Sequence, residues 1–303
     1  MFPRVGYLCN ACTDEEKQSM PEPSSLPTVR RRRLGTELRR LRERADLSVT
    51  EAAALLGVPQ SRISNIEAGR YGVSGDRVRA LAGHYDCTDG ELVDALAAMP
   101  GDRRRGWWEE YRDILSPRML DLTELEHHAT RIRVAQIINI PGLLQTAAHA
   151  RALFDQTVPQ LKPHEIEHRV SHRVKRQAVL HRDQPSPYTA IIHEAALRMR
   201  FGDRTTNRDQ LGHLIDMGDL DHVTLAVVPF ESGPFHTSGQ GVDYLHGPVR
   251  QLDTVQIDTD HGGELIDSPA QLERYRLVLD RMERAALAPA KSRDFIAQLI
   301  KDV

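Results

Sequence analysis

The chain has 303 residues, of which 40% are hydrophobic and 27% charged, and a net charge of -3. This is an ordinary globular composition, long enough for two cores, so two domains are expected. No window approaches the roughly 18 apolar residues of a membrane span, and the opening MFPRVGYLCNACTDEEKQSM lacks a signal-peptide core, which points to a cytoplasmic protein.

Residues 1–27 are rich in Pro, Ser and charge and read as a disordered lead-in. Cys9 and Cys12 form a C-x-x-C within it. Cys87 stands alone, so no second pair completes a four-ligand zinc site; the spacing reads as chance, and no cofactor is expected.

Residues 28–100 read as one helical domain. Between Thr28 and Tyr85 there are 12 Arg and no Lys, which makes this segment basic and the remainder of the chain acidic. A polyanion partner is therefore expected for the first module alone. Leu34, Leu38 and Leu41 space a first helix. Ser48-Val49-Thr50-Glu51 is a capping box opening a second, which ends at Gly57. Pro59 starts a third helix that closes at Gly69, Ser74 caps a fourth, and Thr88-Asp89-Gly90-Glu91 reads as a second capping box that starts a fifth.

The segment LSVTEAAALLGVPQSRISNIEAG, Leu47 to Gly69, has the anatomy of a helix-turn-helix. Ala53 is the small residue needed where two helices cross and Gly57 the turn glycine. Val58, Ile63 and Ile66 form the docking face of the third helix. Gln60, Ser61, Arg62, Ser64 and Asn65 then point outward, with side chains suited to base edges and phosphates. The run Arg30 to Arg33, including Arg32 and Arg33, with Arg39, Arg40, Arg42 and Arg44, is read in two ways: as a tracker of phosphates or a minor groove, or as a solvated charge run.

From Leu34 to Met99 the chain resembles the lambda-repressor-like, or Cro/cI-type, helix-turn-helix. The resemblance implies that the third helix enters the major groove of double-stranded DNA, with Gln60, Ser61 and Asn65 at base-reading positions. Glu67 and Gly69 match the common end of that helix. Val49 stands where the family often has a phosphate-binding Gln, which leaves that contact to Thr50 or Arg62.

Residues 101–303 read as a mixed α+β domain, not a regular doubly wound sheet. Helical patterns cover 102–115, 121–134, 142–154, 163–181 and 205–217, and two more follow Ser268 and Pro289. Strands are predicted at Tyr188–Ile192, His222–Val228, Val242–Leu245 and Thr254–Ile257. The stretch KPHEIEH contains His164-Glu165-x-x-His168, the zinc signature of metallopeptidases. Its surroundings oppose that use: Pro163 puts His164 at a helix start, and Glu167, Arg169, Arg173, Lys175 and Arg176 leave the helix largely polar. Glu194 is the best available third ligand. The preferred reading is an exposed stripe of His164, His168 and His172, with no metal and no catalytic residues.

The phrases IPGLLQT (140–146), AHARAL (148–153), RVKRQ (173–177), HEAALR (193–198) and VVPF (227–230), with RAALA near the end (284–288), resemble the C-terminal domain of WhiJ-type actinobacterial regulators. That resemblance implies a transcriptional regulator acting with a small partner protein in development or specialised metabolism. The C-terminal domain would serve as the sensor or partner-binding part, and a homodimer is expected. The alternatives are a zinc peptidase and the DNA-binding half of a toxin–antitoxin-like pair. Pro229 to Gly239 is a candidate ligand or partner loop as much as an ordinary connection. Trp107 and Trp108 read as packing between the domains.

Overall fold

The computed structural model describes residues 27–101, 106–233, 235, 239–259 and 262–302. The lead-in 1–26, the Cys9/Cys12 pair, and Pro234 and His236 to Ser238 of the candidate loop lie outside these.

Five helices form the N-terminal part: α1 (Val29–Arg44), α2 (Val49–Leu55), α3 (Gln60–Glu67), α4 (Gly75–His84) and α5 (Gly90–Ala98). The α2 capping box is complete, since Ser48 N–H donates to Glu51 Oε2 at 2.7 Å and Glu51 N–H to Ser48 Oγ at 3.2 Å. Ser74 caps α4 as expected. At α5 the cap is Asp89, which accepts from Leu92 N–H at 3.0 Å, and Thr88 takes no part; the expected box there is corrected. Gly57 turns between α2 and α3 at φ +62°, a conformation that favours glycine. The helix α1 crosses α3 so closely that a Cβ on Gly35 would lie 2.3 Å from the Glu67 carbonyl oxygen. Leu34, Leu38, Ala53, Ile63, Ile66, Val78, Leu81, Leu92 and Leu96 fill the shared core.

The C-terminal part runs α6 (Pro117–His128), β1 (Arg131–Gln136), α7 (Ala147–Asp155), α8 (Pro163–Arg176), α9 (Ala178–His181), β2 (Tyr188–His193), α10 (Glu194–Arg198) and α11 (Arg204–Gly218). It continues with β3 (Val223–Val228), β4 (Val242–His246), β5 (Thr254–Thr259), β6 (Gly262–Ile266), α12 (Pro269–Ala285) and α13 (Pro289–Asp302). The strands form one sheet ordered β3-β2-β1-β4-β5-β6, parallel across β3-β2-β1 and antiparallel from β1 to β6. Its helices lie on both faces: one face meets Leu211, Leu214, Ile296 and Leu299, the other Leu272, Leu279 and Met282 of α12. The chain is thus an all-α domain followed by an α+β domain, as the patterning predicts.

Several boundaries differ. The predicted helix 121–134 ends at His128, and Arg131–Gln136 is the central strand β1. Within RIRVAQ, Ile132 and Val134 face the core, while Arg133 on the other face is buried between Asp280 and Glu283 of α12. The helix expected over 163–181 breaks at Gln177, and β6 was not predicted. In the expected helix 102–115, residues 102–105 lie outside the described residues and Trp107–Tyr111 is a 3-10 turn. Trp108 packs with Tyr111, Leu115 and Leu120 and against His127, all of the C-terminal part, so the tryptophan pair is not the interdomain packing expected of it.

The two parts meet instead through α1. Leu252, on the β4–β5 connection, enters the helical core, and Gln251 Nε2 donates to Asp89 Oδ2 at 2.8 Å. Arg33 and Arg40, seven residues apart and so on one helix face, both reach Asp267, at 2.7 Å and 2.9 Å. Arg32 pairs with Asp121 of α6, and Arg30 N–H donates to Glu124 at 3.3 Å.

Candidate nucleic-acid interface

On α3, Ile63 and Ile66 are buried, and Gln60, Ser61, Arg62 and Ser64 are exposed; Asn65 is half-buried. This follows from 3.6-residue periodicity: the two isoleucines fix which side faces the core, and the remaining side chains are left outward. Thr50 is exposed on the first turn of α2. The side chains of Gln60, Ser61 and Ser64 make no hydrogen bond among the described residues, so their donors and acceptors stay open to an outside partner. The structure also adds residues that patterning missed. After Gly69 the chain folds back, with Arg70 N–H donating to the Asn65 carbonyl at 2.8 Å, and the Arg62 guanidinium stands 5.8 Å from the ring centroid of exposed Tyr71. The Arg-Tyr dipeptide directly after the helix-ending glycine was the available signal.

Glu67 has a structural role. It accepts two bonds from Arg42, at 2.7 Å and 2.9 Å, in an ion pair almost closed to solvent, which ties α3 to α1. The bidentate pair fixes the angle at which α3 presents its outer face.

The arginine run is largely absorbed by the protein itself. Arg33 is 6% exposed, ion-paired with Asp267 and Glu37 and donating from Nη2 to the carbonyls of Gln251 and Asp253. It is closed off from a phosphate, which corrects the expectation of a DNA contact there. Arg32 stays partly exposed but spends its charge on Asp121. Burial pushes the Asp121 and Glu124 carboxyls upward, against the pull of Arg32 and of the Arg30 N–H respectively. Arg31 and Arg44 are exposed.

The HEIEH stretch opens α8. His164 is exposed, His168 half-buried, and their ring centroids are 6.3 Å apart. Glu165 is occupied as a cap: the Lys162 N–H donates to it at 2.7 Å and holds its carboxyl below the usual carboxylate range. Glu194, the expected third ligand, accepts from Arg198 Nε and the Phe230 N–H. No group of three His, Cys, Asp or Glu among the described residues is placed to hold a metal. The expected exposed stripe is corrected at His172, which is fully buried between Trp107 and Tyr111. Replacing His164 and His168 together with alanine is expected to change stability by no more than about 0.5 kcal/mol, as for surface sites generally. Stoichiometric zinc in the purified protein, lost in that double variant, would overturn this.

No helix among the described residues is long and apolar enough to cross a membrane. No curated protein and no solved structure matches the chain. The profile of a helix-turn-helix domain matches residues 33–96, in accord with the geometry of α1 to α5, and marks a DNA-binding regulator in general terms. A second profile, the Domain of unknown function (DUF5753), matches residues 119–298, which takes in the whole sheet and more than half of the chain. By that match the protein belongs to the DUF5753 family, carrying its domain behind an N-terminal helix-turn-helix.

Proposed function

We propose that the protein is a sequence-specific regulator of transcription in which α3 reads the major groove. The observation that carries this is the outer face of α3: Gln60, Ser61 and Ser64 side chains with no hydrogen-bond partner among the described residues, on a helix whose angle is fixed by Arg42 and Glu67. Gln60, Ser61 and Asn65 contact bases in this reading; Thr50, Arg62 and Ser64 hold phosphate. A bidentate base contact is worth about 1–3 kcal/mol of discrimination, so Gln60→Ala relaxes the preferred site as well as weakening binding. Arg62→Ala weakens all sequences alike and lowers the salt slope by about one unit. Selection of bound fragments followed by salt titration measures both. An unchanged preferred site in Gln60→Ala would sink the assignment.

The working form is a homodimer, because one helix-turn-helix covers a single half-site. The same footprints then show two symmetric half-sites roughly 34–36 Å apart or a multiple of it. Residues 28–100 are the DNA-binding unit and 101–303 the sensor or partner-binding unit; the acidic charge of the latter keeps it off DNA. The resemblance to WhiJ-type regulators supports a small partner protein and a role in development or specialised metabolism. Capture of that partner by 101–303 alone, with no retardation of DNA, is the corresponding test.

A further inference from the structure

One half of a sheet face has an unusual composition. On the face where Ile132, Val134, Tyr188, Ala190, Ile192, Leu225 and Val227 form an apolar core, the register places Asp243 opposite Val134 and Gln256 opposite Asp243. Alternation then adds Gln136 on β1 and Asp258 on β5 to the same side. The parallel half of the face is therefore apolar and the antiparallel half is floored by two amides and two carboxyls. Gln136 Nε2 lies 3.5 Å from Asp243 Oδ1 and Gln256 Nε2 3.2 Å from Asp258 Oδ1. Gln256 is 6% exposed, while Gln136 and Asp243 are half-buried and Asp258 exposed, so solvent reaches this floor.

Over it stand Arg173 and Arg176 of α8. Arg176 is satisfied by Glu126, at 2.8 Å and 2.5 Å. Arg173 is not. It donates once, from Nη1 to Gln145 Oε1 at 2.8 Å; its Nε is buried without a partner, and no carboxylate among the described residues pairs with it. Gly142 lets both guanidinium groups converge, since a Cβ there would lie 2.9 Å from Arg173 Nη1 and 3.7 Å from Arg176 Nη2. The phrases IPGLLQT and RVKRQ, far apart in sequence, thus build one site, joined also by Gln177 Nε2 donating to the Gln145 carbonyl at 2.6 Å. Asp243, for its part, has no ion pair within the described residues.

We infer that this polar cluster binds a small zwitterionic molecule, whose carboxylate or phosphate is held by Arg173 and whose amine is held by Asp243. A guanidinium and a carboxyl within electrostatic reach of each other, neither in an ion pair among the described residues, ask for a ligand carrying both charges. Burial, with Asp258 and Glu126 nearby, pushes the Asp243 carboxyl up to about 7, and burial beside Arg176 brings Arg173 down to about 10. The inference gives the proposed sensor role its ligand class and rests on that role only for a link to DNA.

Thermal unfolding of the full chain tests it, with phosphoethanolamine and β-alanine as the two zwitterions and ethylamine, inorganic phosphate and acetate as their halves. One zwitterion raises the melting temperature by roughly 5 °C or more in hundredfold excess over its Kd, and the halves do not. Arg173→Met and the isosteric Asp243→Asn each lose that rise while melting as folded proteins. No rise with either zwitterion, or a rise that survives in both variants, overturns the site. DNA binding is read separately on the same samples: its retention without a ligand shift defeats this inference alone, and its loss with the shift intact defeats the helix-turn-helix reading alone.

Discussion

Arg33→Ala is expected to destabilise the full chain by about 3–5 kcal/mol, the usual cost of removing one partner from a buried ion pair. The size follows from what the guanidinium leaves behind. Glu37 is 3% exposed and would keep only Arg40 at 2.5 Å, while the carbonyls of Gln251 and Asp253 would lose a donor where water has little access. Arg33→Lys recovers only part of the loss, because one ammonium cannot match a planar guanidinium that pairs with two carboxylates while donating to two carbonyls. Asp267→Ala costs less, since that carboxylate is 38% exposed. A double-mutant cycle on Arg33 and Asp267, read by denaturant midpoints, gives their coupling. The contact crosses between the helical part and the sheet, so the loss should also separate one unfolding transition into two. A fully additive cycle with a single unchanged transition would show that α1 does not clasp the two parts together.

The second large effect is a loss of stability in acid from two buried histidines. His172 is fully buried; its Nε2–H donates to Thr123 Oγ1 at 3.0 Å, that hydroxyl itself donating to the Met119 carbonyl, and its Nδ1 has no partner. Burial first, then Arg176, Arg173 and Lys175, brings its pKa down to about 3. His149 is 2% exposed with neither ring nitrogen bonded, and burial followed by Arg173 brings it to about 4. In the unfolded chain both titrate near 6.5, so below that pH the unfolded state takes up protons that the fold refuses. The fold is unaffected above about pH 6.5 and weakens as the pH falls from there toward 3 to 4. At about pH 5 each histidine costs on the order of 2 kcal/mol. His172→Phe and His149→Leu together are expected to flatten the acid limb of a stability–pH curve measured by urea midpoints. An acid limb of unchanged slope in the double variant would refute the assignment.

How far the fold could be read in advance depended on how local its causes are. The ends of α2, α3 and α4 follow from Ser48 with Glu51, Gly57, Pro59 and Ser74, each acting on groups within three or four residues of itself. The outer face of α3 was legible for the same reason, since Ile63 and Ile66 set its phase. At β1 the local signal competed: the helical pattern of α6 runs up to His128, and the alternation in RIRVAQ is disguised because Arg133, on the polar beat, is itself buried. Only α12, some 150 residues later, supplies the Asp280 and Glu283 that make its burial tolerable.

The same distinction governs function. By itself the sequence determined that a basic helix-turn-helix precedes an acidic α+β domain, because periodicity, caps and charge are properties of short stretches. It could not determine which arginines remain available to DNA. Arg30 to Arg33 are alike in sequence, and their fates diverge because Arg33 shares a helix face with Glu37 and Arg40 and meets Asp267 on that face, whereas Arg31 points to solvent. Nor could it decide that His172 is core while His164, two turns earlier on α8, is surface, or that Arg173 comes within electrostatic reach of Asp243. Those outcomes depend on residues tens to hundreds of positions away, brought together by strand register and helix docking, and burial decides whether a charge is a contact, a clasp or a cost.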